Sequence, residues 1–187
     1  MSIEYLKLAS IRANSKPAPY KQPEDYGYDF SDWVSPYTKG AHALNSIALV
    51  LQDWASDEKL SLGFNPCLQE HGRILNLTTN RRLEEILKAV FGLEIEETYI
   101  TNAFVFIKSG GMSNTIPAQH FLNCAQQYLL PELNIIKPKL IIALGAQAHN
   151  TLSKLDIQHV SVPHPAARIG KTSTHISEWE SKLNKNS

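Results

Sequence analysis

The sequence predicts an α/β fold, a three-layer α/β/α sandwich around a central, mainly parallel four-stranded sheet. Two observations support this prediction. From Ser46 onward, short apolar runs alternate with segments of helical apolar spacing, as in the strands and crossover helices of parallel sheets. The 187 residues, 43% of them hydrophobic, can bury one sizeable core and are too few for two ordinary domains.

The first 45 residues differ in kind from the rest of the chain. A short helix is expected at residues 3–11, and the proline-rich stretch at 16–23 that follows it prevents regular structure. We interpret residues 1–45 as an arm with short helices packed on the core, with Phe30 and Trp33 as anchors. Residues 46–187 form the α/β part of what we expect to be a single domain overall.

The elements of the α/β part follow from periodicity and from turn residues. Thr78 and Thr79 are N-cap candidates for a helix that stops at Gly92, and Pro131 should kink or interrupt a later helix. Strands are predicted at residues 47–51, 98–107, 140–144 and 157–162, and helices at 80–91, 117–135, 146–153 and 173–183.

Composition and residue spacing limit the classes of protein to which this chain can belong. Lys+Arg and Asp+Glu both number 18, so a nucleic-acid enzyme of this composition must gather its basic groups on one face. No apolar run suits a membrane span and no secretion signal is visible, so we expect a cytoplasmic (intracellular, prokaryotic-type) protein, and a monomer. Cys67 and Cys124 form no CxxC pair and the histidines show no HExxH or HxE spacing, so neither a metal nor any other cofactor is expected.

Polar residues follow the predicted strands at the edge where parallel sheets place active groups. Gln52 and Asp53 follow the first strand, Asn102 lies in or near the end of the second, and His164 follows the fourth. Each alone has an ordinary explanation: the acid as a helix cap, the asparagine as a backbone partner, and the histidine in a surface turn. Together they form a candidate constellation.

Four segments resemble the uracil-DNA glycosylase superfamily in order and spacing, in a divergent branch without an iron–sulfur cluster. Residues 49–53 resemble the strand and water-activating motif, and residues 99–103 the strand whose asparagine reads the uracil edge. Residues 137–145 resemble a segment of the iron–sulfur branch, and residues 163–167 the family's His-Pro-Ser loop. The resemblance covers the chain from Ile47 to about Gly170.

The resemblance implies a monofunctional DNA glycosylase, which flips a nucleotide out of DNA, hydrolyses its N-glycosidic bond and leaves an abasic site. Asp53 would orient the water and stabilise the sugar cation, while a neutral His164 would donate an N–H to charge on the base. Asn102 and Gln52 would contact the base edge. Phe64 matches the family's stacking aromatic, although core packing explains it nearly as well.

The sequence departs from the family where the pocket edge is expected. The family motif continues with proline and a tyrosine that excludes thymine, whereas Trp54 and Ala55 stand here. A methyl group in place of a phenol would open the pocket to uracil or a 5-modified pyrimidine, including bulky modified cytosines of phage DNA, unless Trp54 refills the space. An antiviral defence role would follow from such a substrate.

The loop after His164 departs as well. Ala166 replaces a phosphate-contacting serine, and the family's intercalating position falls near Arg168, which is either a wedge or an exposed loop charge. Lys171, at a helix start, and Ser109, in a glycine-rich segment that could equally be a plain turn, are further candidates for DNA contact. The cluster-binding cysteines of the iron–sulfur branch are absent.

Two other functions compete with base excision. A catalytically degenerate binder of damaged or modified DNA would share the fold and the resemblance. A small-molecule hydrolase on a similar sheet predicts a phosphate-binding glycine loop after the first strand, but residues 54–58 hold two acids and no glycine.

Overall fold

A computed structural model describes residues 1–111 and 113–185 of the chain. The strands are β1 (Ile47–Asp53), β2 (Tyr99–Phe104), β3 (Leu140–Leu144) and β4 (Val160–Val162). The helices are α1 (Ile3–Asn14), α2 (Asp57–Leu60), α3 (Pro66–His71), α4 (Thr78–Phe91), α5 (Ala118–Cys124), α6 (Leu130–Ile136), α7 (Ala146–Lys154) and α8 (Thr172–Asn184). Short 3-10 helices span Pro23–Tyr26, Pro36–Gly40 and Ile95–Glu97, and a π-helical turn spans Ala125–Leu129.

The strands form one sheet in the order β2-β1-β3-β4, and every pairing is parallel. The register sets Leu51 beside Asn102 and Asp53 beside Phe104. Because all four strands run the same way, their carboxyl ends lie at one edge, where ligands bind in open α/β sheets.

Helices cover both faces of the sheet, which confirms the predicted three-layer sandwich. Leu49 and Leu51 of β1 pack in a cluster with α4 and α8, which includes the wholly buried Trp179. Ala48 and Val50 point the other way, into a cluster formed with α1, α5, α6 and α7. Successive residues of a strand face opposite sides, so one apolar run supplies both cores.

A buried cation joins several segments of the first 45 residues to one another. The Arg12 side chain is fully buried; its guanidinium donates to Gln22 Oε1 at 3.0 Å and to the backbone oxygens of Phe30 and Trp33, and it pairs with Glu24 at 3.0 Å. Phe30 is wholly buried, whereas Trp33 is partly exposed. A separate arm at residues 1–45 within one domain stays a prediction.

Several element bounds differ from expectation. β2 ends at Phe104 because residues 105–107 leave the sheet, and Ile107 instead forms an antiparallel bridge with Lys21 of the arm. The N-cap prediction for Thr78 and Thr79 is wrong, because α4 already includes them and Leu77 holds the cap position. Gly92 ends α4 in the left-handed conformation, as predicted.

Pro131 changes the hydrogen-bonding pattern of its helix without ending it. A π-helical turn at Ala125–Leu129 immediately precedes α6, whose second residue is this proline. Proline has no N–H to donate and its ring crowds the preceding turn, so a widened turn accommodates it.

The fourth strand is also shorter than predicted, because only Val160–Val162 pairs with β3.

Candidate functional site

A cavity of about 470 Å³ lies at the carboxyl ends of the strands. It brings together Gln52 and Asp53 at the end of β1, Lys108 after β2, Gly145 after β3 and His164 after β4. Other lining residues come from the first 45 residues, β1 and the loop after it, α4 and its N-cap, β3, α7 and the His164 loop: Tyr37, Leu51, Trp54, Leu77, Thr79, Asn80, Leu144, Ala146, Gln147 and Ala166.

The Asp53 carboxylate is held by two donors on one oxygen. Its Oδ2 accepts from Gln52 Nε2 at 2.6 Å and from Lys108 Nζ at 3.1 Å. The Asp53 and Lys108 side chains are only 4% and 3% exposed, so this is a buried ion pair. Within residues 1–111 and 113–185, no hydrogen bond is found to Oδ1, which leaves that oxygen for a water or substrate atom.

Lys108 was not among the residues predicted for the site. Its backbone is fixed by a bridge to Ser56 and by a hydrogen bond from the Asp57 N–H to its carbonyl oxygen at 2.9 Å. A signal was present in the sequence, since Lys108 directly follows the apolar run at 103–107, as Gln52 follows the first strand. The rule that selected Asp53, a charged residue at the carboxyl end of a strand, applies equally to Lys108.

His164 presents a defined tautomer to the cavity. Its Nδ1 accepts a hydrogen bond from the Ala166 backbone N–H at 3.1 Å, so in the neutral ring the proton resides on Nε2. Burial lowers the pKa of His164 below its usual value, and the nearby Asp53 opposes that shift only in part. At neutral pH the ring is therefore an uncharged donor through Nε2.

Three side chains from α4 and α8 fix the loop that carries His164. We call Arg82, His175 and Trp179 the carbonyl clamp, because each contacts a different backbone oxygen of this loop. The contacts are Trp179 Nε1 to the Pro163 oxygen at 3.1 Å, Arg82 Nη1 to the Pro165 oxygen at 2.7 Å, and His175 Nε2 to the Ala167 oxygen at 3.2 Å.

Gly145 allows the β3–α7 turn to approach the His164 loop. Its φ is +87°, and a Cβ placed there would lie 3.3 Å from the His164 Cβ. The Gly145 N–H also donates to the Val162 oxygen at 2.9 Å, which joins the two loops. The first residues of α7 line the cavity, so the positive end of that helix dipole lies at its wall.

Asn102 is not part of the cavity wall. It is wholly buried beside Leu51, its Oδ1 accepts from Ser35 Oγ at 2.6 Å, and its Nδ2 has no partner among the residues that the structure describes. Buried amide N–H groups without a partner are rare in proteins. Its role in reading the base stays a prediction.

The pocket edge is formed by Trp54 rather than by Ala55. Trp54 lines the cavity and its indole N–H donates to the Gly72 oxygen at 2.7 Å, whereas Ala55 is 7% exposed and packs in a separate apolar cluster. Phe64 also lies outside the lining; it is 55% exposed and stacks on Tyr28 with ring centres 5.0 Å apart. The base-contacting roles of Ala55 and Phe64 stay predictions.

Asn80 is a further amide side chain in the cavity wall, and the sequence did not predict it. Asn80, in the first turn of α4, accepts from the Tyr37 hydroxyl at 2.9 Å and donates to the Ile74 oxygen at 2.8 Å. No motif marked it, because a polar residue in the first turn of a helix is common.

The residues predicted to contact DNA are exposed. Arg168 and Lys171 follow His164 in its loop, with the 40%-exposed Ile169 between them, and Ser109 directly follows Lys108. These side chains adjoin the segments that line the cavity. Their contacts with DNA stay predictions.

Two features of residues 1–111 and 113–185 bear on the class of site. Among them, no group of three or more His, Cys, Asp or Glu side chains is arranged to hold a metal ion. The helices of residues 1–111 and 113–185 are also too short or too polar to cross a membrane.

Comparison with known proteins gives one family. The model of the uracil DNA glycosylase superfamily matches residues 56–186, which is more than two thirds of the chain. The matched region includes Asn102, Lys108 and His164 and begins just after Asp53. No curated protein matches the chain.

Proposed function

The chain belongs to the uracil DNA glycosylase superfamily, and from this premise we propose that it excises uracil or a 5-modified pyrimidine from DNA. A flipped nucleotide would enter the cavity, and its N-glycosidic bond would be hydrolysed to leave an abasic site. The observation that carries the proposal is that Asp53 and His164 line the same cavity at the carboxyl ends of the strands.

The two residues suit opposite ends of the bond that breaks. Asp53 Oδ1 would orient a water toward C1′, while the negative carboxylate stabilises the oxocarbenium character of the sugar. The bonding electrons would leave with the base, and the water oxygen would bond to C1′. Asp53 or the departing base would take the water proton.

His164 would stabilise the departing base. Its pKa is lowered by burial and its Nδ1 accepts from the Ala166 N–H, so a neutral ring donates through Nε2. A fixed donor aimed at developing negative charge lowers the barrier by about 3–4 kcal/mol in comparable sites. All of these groups come from one chain, which is compatible with action as a monomer.

The size of the cavity supports a substituted base. A volume of about 470 Å³ falls within the range of about 300–1,000 Å³ of small-molecule sites, so it could hold a pyrimidine with a substituent at carbon 5. Because Trp54 lines the cavity and Ala55 does not, we propose that Trp54 sets the limit on that substituent. Bulky modified cytosines of phage DNA, and hence a defence role, belong to this part of the proposal.

A panel of oligonucleotides tests the proposal. Duplexes and single strands would carry uracil, a thymine mismatch, hydroxymethyluracil, or plain or glucosylated hydroxymethylcytosine, and heating with alkali would reveal abasic sites. We expect release of at least one of these bases by the wild-type chain and loss of release in Asp53→Asn. Release of uracil alone would contradict the proposal that the site accepts a substituted base. If no base were released from the panel or from authentic modified phage DNA, the proposed glycosylase activity would be wrong.

One observation favours a second candidate, a binder of modified DNA without catalysis. The Lys108 ammonium lies 3.1 Å from Asp53 and offsets the negative charge that base release requires. On this reading, fluorescence anisotropy would detect selective binding to one modified duplex while the alkali assay shows no abasic site. Selective binding accompanied by release would exclude it.

A further inference from the structure

An amine lies inside the cavity in which an abasic sugar would be produced. The Lys108 side chain is 3% exposed, lines the cavity, and places Nζ 3.1 Å from Asp53 Oδ2. Hydrolytic base release has no use for a second nucleophile beside the water. A buried lysine amine is also the group that forms Schiff bases with carbonyl compounds.

We propose that Lys108 gives this site a second activity, cleavage of the DNA strand at an abasic site through a Schiff base with the sugar. The inference rests on the proposed function in one respect, because the sugar of a flipped nucleotide must reach this cavity. It extends that function, since hydrolytic base excision leaves the strand intact.

Lys108 Nζ lies close to the position expected for C1′ of the sugar. If Asp53 orients the water toward C1′, then C1′ lies within a few ångströms of the carboxylate. Lys108 Nζ is at hydrogen-bond distance from the same carboxylate, so the amine and C1′ would be neighbours. Bringing two reactants together in the correct geometry supplies a large part of an enzymatic rate.

The backbone around Lys108 is held in place before any substrate binds. The Ser56 bridge and the bond from the Asp57 N–H fix the backbone of Lys108, and the Glu58 N–H donates to the Gly110 oxygen at 3.0 Å just beyond it. The amine therefore extends from a paired segment. Asp53 Oδ2 is placed to take the ammonium proton, which frees the nitrogen lone pair.

The chemistry needs no oxidant, reductant or further reactant. The ring-opened abasic sugar is an aldehyde; Nζ bonds to its C1′, the carbonyl oxygen leaves as water, and a protonated Schiff base results. A base removes a C2′ proton, the electron pair forms a C2′–C3′ double bond, and the C3′–oxygen bond breaks to release a 5′-phosphate end. Water then hydrolyses the Schiff base, which returns the amine and leaves an unsaturated aldehyde on the other strand end.

The test uses a labelled duplex with a preformed abasic site, so it does not require base release. The full chain would be incubated with this duplex, with and without sodium borohydride, which reduces a Schiff base to a stable covalent bond. We expect strand cleavage without alkali, and with borohydride a protein–DNA adduct that mass spectrometry locates at Lys108. Wild-type protein that excises bases but gives no adduct would overturn the inference and leave the proposed function standing.

Lys108→Arg is the decisive variant, because it keeps a cation beside Asp53 and cannot form a Schiff base. It should lose both the cleaved strand and the adduct, whereas Lys154→Arg, at the exposed far end of α7, should keep both. Undiminished trapping by Lys108→Arg, or an adduct on another amine of the wild-type protein, would overturn the inference. The location of the adduct is read on the wild-type chain, so the test does not depend on the folding of the variant.

Discussion

The carboxyl end of β1 and the loop after β4 hold their functional residues in different ways. Asp53 is bound through its reacting carboxylate, by Gln52 and Lys108. His164 is positioned mainly through the backbone of its loop, by the carbonyl clamp of Arg82, His175 and Trp179. A change beside Asp53 therefore alters the charge around a reacting group, whereas a change in the clamp alters where the His164 ring lies and, at His175, also the pKa of that ring.

The largest effect is expected from Asp53→Asn, which removes the charge on the β1 side. Base release should fall by about 10²–10⁴-fold, the range for loss of a positioned acid or base, while DNA affinity stays nearly the same. Single-turnover release and anisotropy would measure the two quantities. An equal loss of binding would show that Asp53 is structural.

A control for Asp53→Asn is needed because it leaves the Lys108 ammonium buried without its ion-pair partner. Removing one partner of such a pair costs about 3–5 kcal/mol of stability. The double variant Asp53→Asn, Lys108→Met removes both charges, and it should recover stability but not base release. Thermal unfolding of both variants would separate the two causes.

His164→Ala should be the next largest, with a loss of about 10²–10³-fold in single-turnover base release, because one donor to the departing base is removed. Binding should persist, since the clamp contacts the loop backbone and not the imidazole. Unchanged base release would show that His164 does not contact the departing base and has no part in its release.

Arg82→Met tests whether position alone matters on the β4 side. The Pro165 oxygen would lose its partner, and a displacement of about 1 Å at His164 could lower base release by up to about 10²-fold. Arg81→Met is the matched control, since Arg81 is the exposed neighbour on α4. Equal activity of the two variants would show that the clamp only stabilises the fold.

The smallest effect is a pH dependence of stability from the β4 side. Burial lowers the pKa of both His164 and His175, and the Arg82 cation lowers that of His175 further. The unfolded chain therefore takes up protons at higher pH than the folded chain does, so their stabilisation is present above pH about 6.5 and is lost as the pH falls below it. Urea unfolding at pH 7.5 and 5.5 should show that His175→Gln loses less stability toward pH 5.5 than the wild type does.

Glu132 acts on the same measurement with the opposite sign. Burial raises its pKa to about 7, although Thr101 and Tyr99 donate to its carboxylate. The folded chain then holds a proton that the unfolded chain releases, so the stability contributed by Glu132 falls as the pH rises through about 7. Both the wild type and His175→Gln keep Glu132, so the difference between their pH dependences of stability is due to His175. An identical pH dependence would show that His175 contributes nothing to it.

The periodicity of the sequence was sufficient for the layers and the order of the elements. Apolar runs such as residues 47–51, alternating with segments of helical spacing, predict buried strands flanked by helices, and a parallel sheet places Asp53 and His164 at one edge. The bounds of β2 could not be obtained in this way. The last residue of its predicted apolar run, Ile107, pairs with Lys21, a contact between segments far apart in sequence.

What the sequence alone determined was the fold class and the two candidate catalytic positions, because both depend on local pattern and strand order. Only the tertiary structure decided which neighbours complete the site. It placed Lys108 against Asp53, Trp54 in the wall instead of Ala55, and Asn102 fully buried outside the lining. Those outcomes depend on side-chain direction and on contacts between distant segments, which residue spacing along one chain does not specify.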